Sequence, residues 1–337
     1  LIPICVRAAE FACTADLEEF GIGATELACA ARSKDAMVDG QLQSLPIPRS
    51  IQQAVKMKEN GQPGFYDAAM LEMKSLEDPE DPTYVLMPRS EVPDGEVVIP
   101  IHMIFDVKTD ANLEIEKYKG RAVADSSRSG SDVPAYANTL SWPALRLAFD
   151  IAGKRRDRCY SADYITAFLN SRLPPDHPAV YARQVRGAEK FGPNGEELVC
   201  KMLKALYGLK TAARLWEQNV VKLLLSNGWI RCVTEPCLFF KNTNGRQALL
   251  ALYVDDVFIF IQNEVWAKQE LDLLGDVSKG GYPLKYNGEL RWALKVSVYR
   301  LIDGTFLLNQ ATFIHGLHRK YCNGVQSPKS LPYSKLI

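Results

Sequence analysis

The stretch Leu249-Leu-Ala-Leu-Tyr-Val-Asp-Asp-Val-Phe-Ile-Phe-Ile261 carries only two charges, Asp255 and Asp256, between two apolar arms. The arms are of strand length and rich in Val, Ile, Phe and Tyr, so the sequence predicts two strands with the acids at or beside the turn between them. Adjacent carboxylates in such a setting are costly to desolvate unless a cation or several hydrogen bonds meet them. The alternative is an ordinary hairpin whose turn contains Asp. Tight turns prefer Asn-Gly or Asp-Gly and surface hairpins alternate polar with apolar residues, which counts against it.

A third carboxylate, Asp163, stands in a similar strand-like run, Cys159-Tyr-Ser-Ala-Asp-Tyr-Ile-Thr-Ala-Phe-Leu169. Taken alone, it is best interpreted as a buried Asp that accepts hydrogen bonds from backbone amides. It is too far along the chain from Asp255 and Asp256 to meet them locally, but adjacent strands of one sheet could bring the three together. Three carboxylates in a dry site suit two divalent cations roughly 4 Å apart, which can promote an in-line phosphoryl displacement.

Composition sets limits on the class of protein. The chain has 337 residues and a net charge of zero, so a nucleic-acid site must come from local clusters of cations. No apolar run is long enough for a membrane span, the N-terminus does not resemble a signal peptide, and the absence of an initial Met suggests a piece of a longer chain. The eight Cys show no Cys-x2-Cys pair, which predicts reduced thiols in an intracellular protein. His315, His318 and Cys322 could share a helix face, but a structural zinc site needs a fourth ligand.

Periodicity and capping signals divide the chain into elements. Residues 1–60 show no sustained period and are expected to be a poorly ordered leader or linker. Ser141 is expected to cap a helix that stops at Gly153, and Thr211 to cap one that runs to Asn227. Helices are predicted at 65–76, 141–153, 211–227, 267–274 and 311–321. Strands are predicted at 84–87, 97–107, 117–123, 290–299 and 305–308.

Two segments concentrate positive charge. Lys117, Lys119 and Arg121 lie in one strand-like run, and they could form either a solvated strand face or a phosphate clamp. Residues 199–216 contain no acid, and Tyr207 and Trp216 lie among their cations. Such a segment could follow a nucleic-acid or triphosphate backbone, or it could be a solvated amphipathic face. The cations of this second segment are Lys201, Lys204, Lys210 and Arg214.

Several blocks resemble the reverse transcriptase of copia-type LTR retrotransposons. Tyr253-Val-Asp-Asp256 resembles the family's YVDD turn, and Val199-Cys-Lys-Met-Leu-Lys-Ala-Leu-Tyr-Gly-Leu-Lys210 its VCKLLKALYGLK run. Residues 163–170 are similar to its DVKTAFLN, 117–123 to its RYKARLV, 141–153 to its Ser-Arg-Leu helix and 287–292 to its LGELKYF. These blocks occur in the family's order, and the resemblance as a whole covers residues 65–330.

The resemblance implies an α+β right-hand polymerase with an antiparallel palm sheet. Residues 61–330 would form the reverse transcriptase domain. Within it, residues 61–158 would form the fingers and the start of the palm, and residues 159–300 the palm with an inserted fingers segment. Residues 301–330 would begin a truncated thumb or connection. The implied reaction is RNA-directed DNA polymerisation, in which a primer 3′-hydroxyl attacks the α-phosphorus of a dNTP.

The resemblance also assigns roles to individual residues. Asp163, Asp255 and Asp256 match the catalytic, metal-binding carboxylates, which implies two Mg²⁺ ions, or Mn²⁺, as cofactors. The implied nucleotide contacts are Lys119, Arg121, Phe168, Tyr207, Gly208 and Lys210, with Phe168 placed against the sugar 2′ position. The implied template or primer contacts are Lys201, Lys204, Arg214 and Lys295. The partners would be an RNA template, a DNA primer and a dNTP, without a membrane, in a cytoplasmic retrotransposon particle or in the nucleus.

This chain also departs from the family pattern, and the departures keep alternatives open. Ile165 stands where the family usually has Lys, Thr211 where it has Gln, Ala213 where it has Pro, and Lys295 where it has Gly. A long side chain at 295 could disturb the backbone's approach to the primer. One alternative is therefore a degenerate, inactive retroelement fragment that at most binds nucleic acid. Others are a non-enzymatic nucleic-acid-binding module that uses residues 199–216, and a different metal-dependent phosphotransferase.

Overall fold

The computed structural model describes residues 33–38, 41–109, 114–127 and 133–322. The chain forms two compact units, the first from Leu1–Asn138 and Thr166–Val220 and the second from Thr139–Ile165 and Val221–Ile337. The second unit contains residues 139–158, which end the segment expected to form the fingers and the start of the palm, and also residues 301–322, expected to begin a thumb or connection.

Helices form at each of the five predicted places, and one further helix precedes them. The helices of the described residues are α1 (Ile51–Glu59), α2 (Gly64–Leu76), α3 (Trp142–Arg155), α4 (Ala212–Ser226), α5 (Glu264–Gly275) and α6 (Ala311–Cys322). The Ser141 hydroxyl caps α3 by accepting the Ala144 N–H at 3.3 Å, as predicted. The predicted stop at Gly153 is wrong, because α3 continues to Arg155 and ends where Arg156 turns left-handed at φ 58°. Gly153 instead lies against Thr305, where a Cβ would stand 3.4 Å from that Cα.

The strands of the described residues fall into five sheets. Strands of the first unit are β1 (Ser33–Val38), β2 (Gln41–Pro46), β3 (Tyr84–Pro88), β4 (Val98–Ile99), β5 (Ile101–Thr109), β6 (Ile115–Ala124), β8 (Tyr181–Arg183) and β9 (Leu198–Met202). Strands of the second unit are β7 (Arg158–Tyr164), β10 (Ile230–Arg231), β11 (Leu238–Thr243), β12 (Arg246–Tyr253), β13 (Asp256–Ile261), β14 (Leu284–Glu289), β15 (Trp292–Ala293), β16 (Val296–Arg300) and β17 (Phe306–Asn309).

Residues 1–60 were expected to be poorly ordered, but residues 33–38 and 41–60 form a hairpin and a helix, and residues 1–32, 39 and 40 lie outside the described part of the chain. β1 and β2 pair as an antiparallel hairpin, and Lys34 joins that hairpin to Asp106 through an ion pair of 3.0 Å. The Ser50 hydroxyl then caps α1 by accepting the Gln53 N–H at 3.2 Å. A single capping residue, and a short hairpin that depends on its contact with β5, produce no sustained hydrophobic period in the sequence. The sequence therefore did not indicate these two elements.

In the first unit, β5 and β6 form a long antiparallel hairpin with one apolar face. That face packs against α2, where Phe65 meets the Phe105 ring edge-on at 5.9 Å. Gly120 lies so close to α2 that an added Cβ would stand 3.1 Å from Ala69 backbone. A second, four-stranded sheet has the order β3-β9-β8-β4.

In the second unit, a six-stranded sheet has the order β10-β11-β12-β13-β7-β14, and all its neighbours are antiparallel. α3 covers one face of this sheet, with Phe149 edge-on to Phe260 at 5.0 Å. α5 packs on the face that carries Tyr286, whose hydroxyl donates to Glu264 at 3.1 Å. β14 was not predicted, and the strand expected at 290–299 is instead the hairpin of β15 and β16.

No helix in the described part of the chain has the length and apolar character to cross a membrane.

Candidate active site

The opening stretch forms the predicted hairpin. β12 and β13 are joined by the two residues Val254 and Asp255, with Tyr253 opposite Asp256. Val254 has a φ of 57°, a conformation that β-branched residues rarely adopt. Such strain is worth on the order of 1–3 kcal/mol and is common at functional sites. Gly normally supplies the positive φ at this position of a two-residue hairpin turn, so the unusual feature of the turn is the β-branched Val254 beside the two acids.

The sheet brings the third carboxylate to the same place. Asp163 on β7 lies directly opposite Asp256 on β13, and the Tyr164 N–H donates to the Asp255 carbonyl at 2.8 Å. Residues directly opposite each other share a face, with Cβ atoms about 4.5–5.5 Å apart. Asp163 and Asp256 are half-buried and Asp255 is exposed. The register confirms that adjacent strands bring Asp163 and Asp256 together, with Asp255 next to Asp256 in the turn.

The shared face of β7 and β13 changes character along its length. Cys159 opposite Phe260 is buried under α3, and the next pair on this face is Ser161 opposite Phe258. The following pair is Asp163 with Asp256, beyond the apolar cluster. The carboxylates thus stand at the end of a closed hydrophobic core, where they remain accessible to an ion.

The donor set suits magnesium or manganese, because these hard cations prefer carboxylate oxygens. As the side chains stand, no group of three or more His, Cys, Asp or Glu within the described residues is arranged to hold a metal ion. The backbone register unites the acids, whereas side-chain rotation has to complete any ion site. Among the described side chains, His315 and His318 on α6 belong to no such group, and the side chain of Cys322, the third residue of that spacing, lies outside the described ones.

In the first unit, the cations of β6 share one face of the β5–β6 hairpin. Lys117 lies opposite Lys108, and Lys119 opposite Asp106. Burial is the main cause that lowers the pKa of Lys119. Repulsion from Arg121, Lys108 and Lys117 lowers this pKa further, and attraction to Asp106 opposes the shift. Like charges crowded on a partly buried face favour a bound anion. Both earlier interpretations of these cations, strand face and phosphate clamp, fit this geometry.

Three of the expected nucleotide contacts meet in this unit. The Arg121 guanidinium lies 5.0 Å from the centre of the Tyr207 ring, and the Phe168 ring meets Tyr207 edge-on at 5.2 Å. Phe168 belongs to the short 3-10 turn Ala167–Asn170, which begins after Thr166 with a φ of 50°. The structure therefore brings residues that are far apart in the sequence into one cluster around the Tyr207 ring.

The loop with Tyr207, Gly208 and Lys210 is fixed against the end of β6. The Ala124 N–H donates to the Tyr207 carbonyl at 2.8 Å, and the Ser126 hydroxyl donates to the Gly208 carbonyl at 2.6 Å. The Lys210 N–H in turn donates to the Ser126 hydroxyl at 3.1 Å. Ser126 was not predicted as a functional residue, and no motif in the sequence singles it out.

The four residues expected to contact template or primer differ in burial and in ion pairing. Lys201 is exposed on β9 and Arg214 is half-buried on α4. Lys204 is buried, and its ammonium lies 2.5 Å from an Asp81 carboxylate oxygen and donates to the Asp81 carbonyl at 2.8 Å. The Lys204 ammonium is thus buried against Asp81, which also pairs with Arg172, and this burial counts against Lys204 as a nucleic-acid contact.

Lys295 lies in the turn between β15 and β16, where Leu294 and Lys295 have φ values of 47° and 67°. Turns with two positive φ values favour Gly or Asn. The backbone conformation at residue 295 therefore favours the Gly that the family has at this position, whether or not the backbone there approaches a primer. The Lys295 ammonium lies 5.7 Å from the centre of the Phe313 ring.

Lys285 is the main residue that the sequence analysis missed. It lies on β14 directly opposite Asp163, on the side of β7 away from β13. The alternation of Leu284 and Tyr286 with Lys285 and Asn287 could have indicated this strand. Its register with Asp163 could not have been read from any local pattern.

Comparison with known protein families matches residues 83–333, more than half of the 337-residue chain, to the family described as "Reverse transcriptase (RNA-dependent DNA polymerase)". The chain belongs to this family. The expected α+β right-hand polymerase fold with an antiparallel palm sheet is therefore confirmed. Reverse transcriptases in general use divalent metal ions.

Retrotransposon polyproteins are among the relatives of this reverse transcriptase domain. It is 27% identical over 290 residues to the "Retrovirus-related Pol polyprotein from transposon TNT 1-94" of Nicotiana tabacum, covering 85% of this chain and 21% of that protein. It is 30% identical over 222 residues to the corresponding polyprotein of transposon RE1 of Arabidopsis thaliana, covering 64% of this chain and 14% of that protein. The copia-type resemblance is confirmed, and the chain spans about a fifth or less of these relatives.

One solved structure in the comparison is a foamy viral protease-reverse transcriptase in complex with double-stranded DNA. The match has a TM-score of 0.44 and 16% identity, and it covers 78% of this chain and 38% of that chain. A likeness of this size carries no argument about function.

Proposed function

We propose that this chain is a working RNA-directed DNA polymerase of a copia-type retrotransposon. The reaction joins the 3′-hydroxyl oxygen of a DNA primer to the α-phosphorus of a dNTP, with release of pyrophosphate, as directed by an RNA template. The observation that supports it best is the register of Asp163 opposite Asp256, with Asp255 in the strained turn beside them. Family membership supplies the reaction class.

In this proposal, Asp163, Asp255 and Asp256 hold two Mg²⁺ ions, or Mn²⁺. When bound, such ions supply charge stabilisation to the attacking and leaving oxygens. Ions can reach these carboxylates from solvent, because Asp163 and Asp256 are only half-buried and Asp255 is exposed. We assign the second unit to the palm for this reason.

We assign the first unit to the fingers and its residues to the nucleotide and the template. Lys119 and Arg121 bind the triphosphate, because they crowd one face of the β5–β6 hairpin together with Lys108 and Lys117. Phe168 excludes a ribose 2′-hydroxyl by its bulk, and Tyr207 holds Phe168 in place. Gly208 and Lys210 complete the nucleotide contacts, whereas Lys201, Arg214 and Lys295 contact template or primer.

Primer extension tests the proposal. Purified protein with Mg²⁺ is expected to extend a labelled DNA primer on an RNA template, and Asp255→Asn or Asp256→Asn is expected to reduce extension to the level of a reaction without protein. Asp272→Asn on α5 is a matched control, since Asp272 is exposed and outside the row of carboxylates. Absence of extension by the unsubstituted protein, with a related active enzyme as positive control, would contradict the proposal.

A second candidate is an inactive domain that still binds nucleic acid. Its support is specific: Ile165, which replaces the family's Lys, is 49% exposed, and Lys295 occupies a left-handed turn position that favours Gly. This candidate predicts binding of primer and template that survives Asp256→Asn and does not respond to Mg²⁺. Extension of the primer by the unsubstituted protein would exclude it.

A further inference from the structure

A lysine stands in line with the carboxylates of the six-stranded sheet. Asp256, Asp163 and Lys285 are register partners on the adjacent strands β13, β7 and β14. Register partners in antiparallel sheets point to the same face, so the ammonium of Lys285 belongs to the same row as the two acids. We infer that Lys285 is a counter-charge built into this site, which weakens its affinity for divalent cations in the absence of nucleotide.

The neighbours of Lys285 fix the face that it occupies. Leu284 and Tyr286 point to the opposite face, where the Tyr286 ring lies 5.1 Å from the Lys268 ammonium and its hydroxyl bonds Glu264. Leu284 also packs against Gly275 at the end of α5. The bulge in β14 comes only after Tyr286, so Leu284 and Lys285 keep an unbroken register with β7. A slip of Lys285 to the other face would expose the apolar side chains of β14.

Lys285 has the reach and the freedom to act in this way. It is exposed, and its flexible four-carbon stem carries a compact ammonium. With Cβ atoms about 5 Å apart, that ammonium can approach the Asp163 carboxylate from the side away from Asp256. It is thus a positioning residue for the ions and not a ligand of them.

Electrostatics gives the direction and size of the effect. An ammonium and a divalent cation compete for the same carboxylates and repel each other. At separations of about 6 Å in a water-like dielectric, removal of one positive charge tightens divalent binding by about threefold to tenfold. A triphosphate that arrives with the ion offers the ammonium an anionic partner, so the penalty is largest without nucleotide. In this way Lys285 favours ion binding together with nucleotide over ion binding alone.

This inference rests on the proposed ion site, so its test must separate the two. Mn²⁺ and Mg²⁺ binding to the whole chain is measured by isothermal titration calorimetry without nucleotide. Lys285→Met removes the charge at similar length, Lys285→Arg keeps it, and Asp163→Asn removes a proposed ligand. Lys279→Met is the control for net charge, since Lys279 is exposed and pairs with Asp276 at 3.0 Å. Thermal unfolding verifies that each variant folds.

We expect Lys285→Met to bind both ions about threefold to tenfold more tightly, with Lys285→Arg and Lys279→Met close to the unsubstituted protein. Unchanged affinity in Lys285→Met, with binding abolished by Asp163→Asn, would overturn the inference and leave the ion site standing. An equal gain in Lys279→Met would also overturn it, because the effect would then be one of net charge. Ion binding that Asp163→Asn does not reduce would overturn both the inference and the proposed site.

Discussion

Single residues with unusual backbone conformations flank the carboxylates of this domain. Val254 lies between Tyr253 and Asp255 with φ 57°, and Thr166 follows the strand of Asp163 with φ 50°. Both are β-branched, and the left-handed region costs such residues more than it costs Gly. The hydrogen bond from Tyr164 N–H to the Asp255 carbonyl and the paired strands around it hold the turn despite this strain. Intrinsic preferences of the residues would not choose either conformation.

Gly208 shows the opposite case, a position that only Gly can occupy. Its φ is 84°, and an added Cβ would stand 2.1 Å from the Ala124 carbonyl oxygen. We expect Gly208→Ala to lower the free energy of unfolding by at least about 2 kcal/mol, since it adds a backbone clash to the cost of a left-handed alanine. Urea denaturation measures this change.

Gly195→Ala is the matched control for that prediction. Gly195 has a similar φ of 77°, but nothing lies within 4 Å of a Cβ added there. Gly195→Ala should lower the free energy of unfolding by only about 1 kcal/mol, which is the cost of placing an alanine in the left-handed conformation. Equal losses in the two variants would show that the loop of Gly208 does not need the close approach to β6.

At the scale of elements, α5 is tied to the sheet by a buried ion pair. Lys241 on β11 lies 2.7 Å from Glu270 on α5, and both side chains are largely buried. Glu270 also accepts the Trp266 indole N–H at 3.1 Å. α5 in turn packs against Tyr286 of β14, so this pair helps to place the strand that carries Lys285. Lys285 thus depends on packing at the opposite face of the sheet.

We expect Glu270→Leu to destabilise the protein by about 3–5 kcal/mol, because it leaves the Lys241 ammonium buried without its carboxylate. Lys241→Met together with Glu270→Leu should recover most of that loss, since two apolar side chains then replace the pair. Chemical denaturation of the single and double variants measures the coupling. Purely additive losses in the double variant would show that the ion pair does not stabilise α5 on the sheet.

At the scale of the whole molecule, a net charge of zero hides an uneven distribution of charge. Cations crowd one face of β6 and recur between residues 199 and 216. The three acids Asp163, Asp255 and Asp256 lie instead on β7 and at the turn between β12 and β13. Attraction to a phosphate backbone therefore depends on a few local contacts and not on a general positive field. Lys204 is the buried member of the 199–216 group and lies against Asp81.

The salt dependence of nucleic-acid binding tests this distribution. Each phosphate contact adds about 0.9 to the slope of log affinity against log salt for a duplex. We expect Lys201→Ala and Arg214→Ala each to reduce the magnitude of that slope by about 0.9, the value for one phosphate contact. Lys154→Ala, which removes a cation paired with Asp150 on the surface of α3, should leave it unchanged. An unchanged slope in all three variants would remove Lys201 and Arg214 from the nucleic-acid surface.

The local elements and the family could be predicted from the sequence. The hairpin with Asp255 and Asp256, the Ser141 cap and the helix of residues 65–76 all depend on residues close together in the chain. Periodicity, capping and motif spacing record such short-range preferences directly. The elements missed between residues 33 and 60 are a helix capped by Ser50 and a short hairpin that is joined to β5 by the Lys34–Asp106 ion pair.

Only the tertiary structure decided which distant residues meet. The sequence placed Asp163 in a strand but could not show that it lies opposite Asp256 on one side and Lys285 on the other. It placed Lys204 among the basic residues of 199–216 but could not show that Lys204 is buried against Asp81. The physical reason is that strand register and burial are set by the packing of whole sheets, and a shift of one residue reverses the face of every side chain without altering the local pattern.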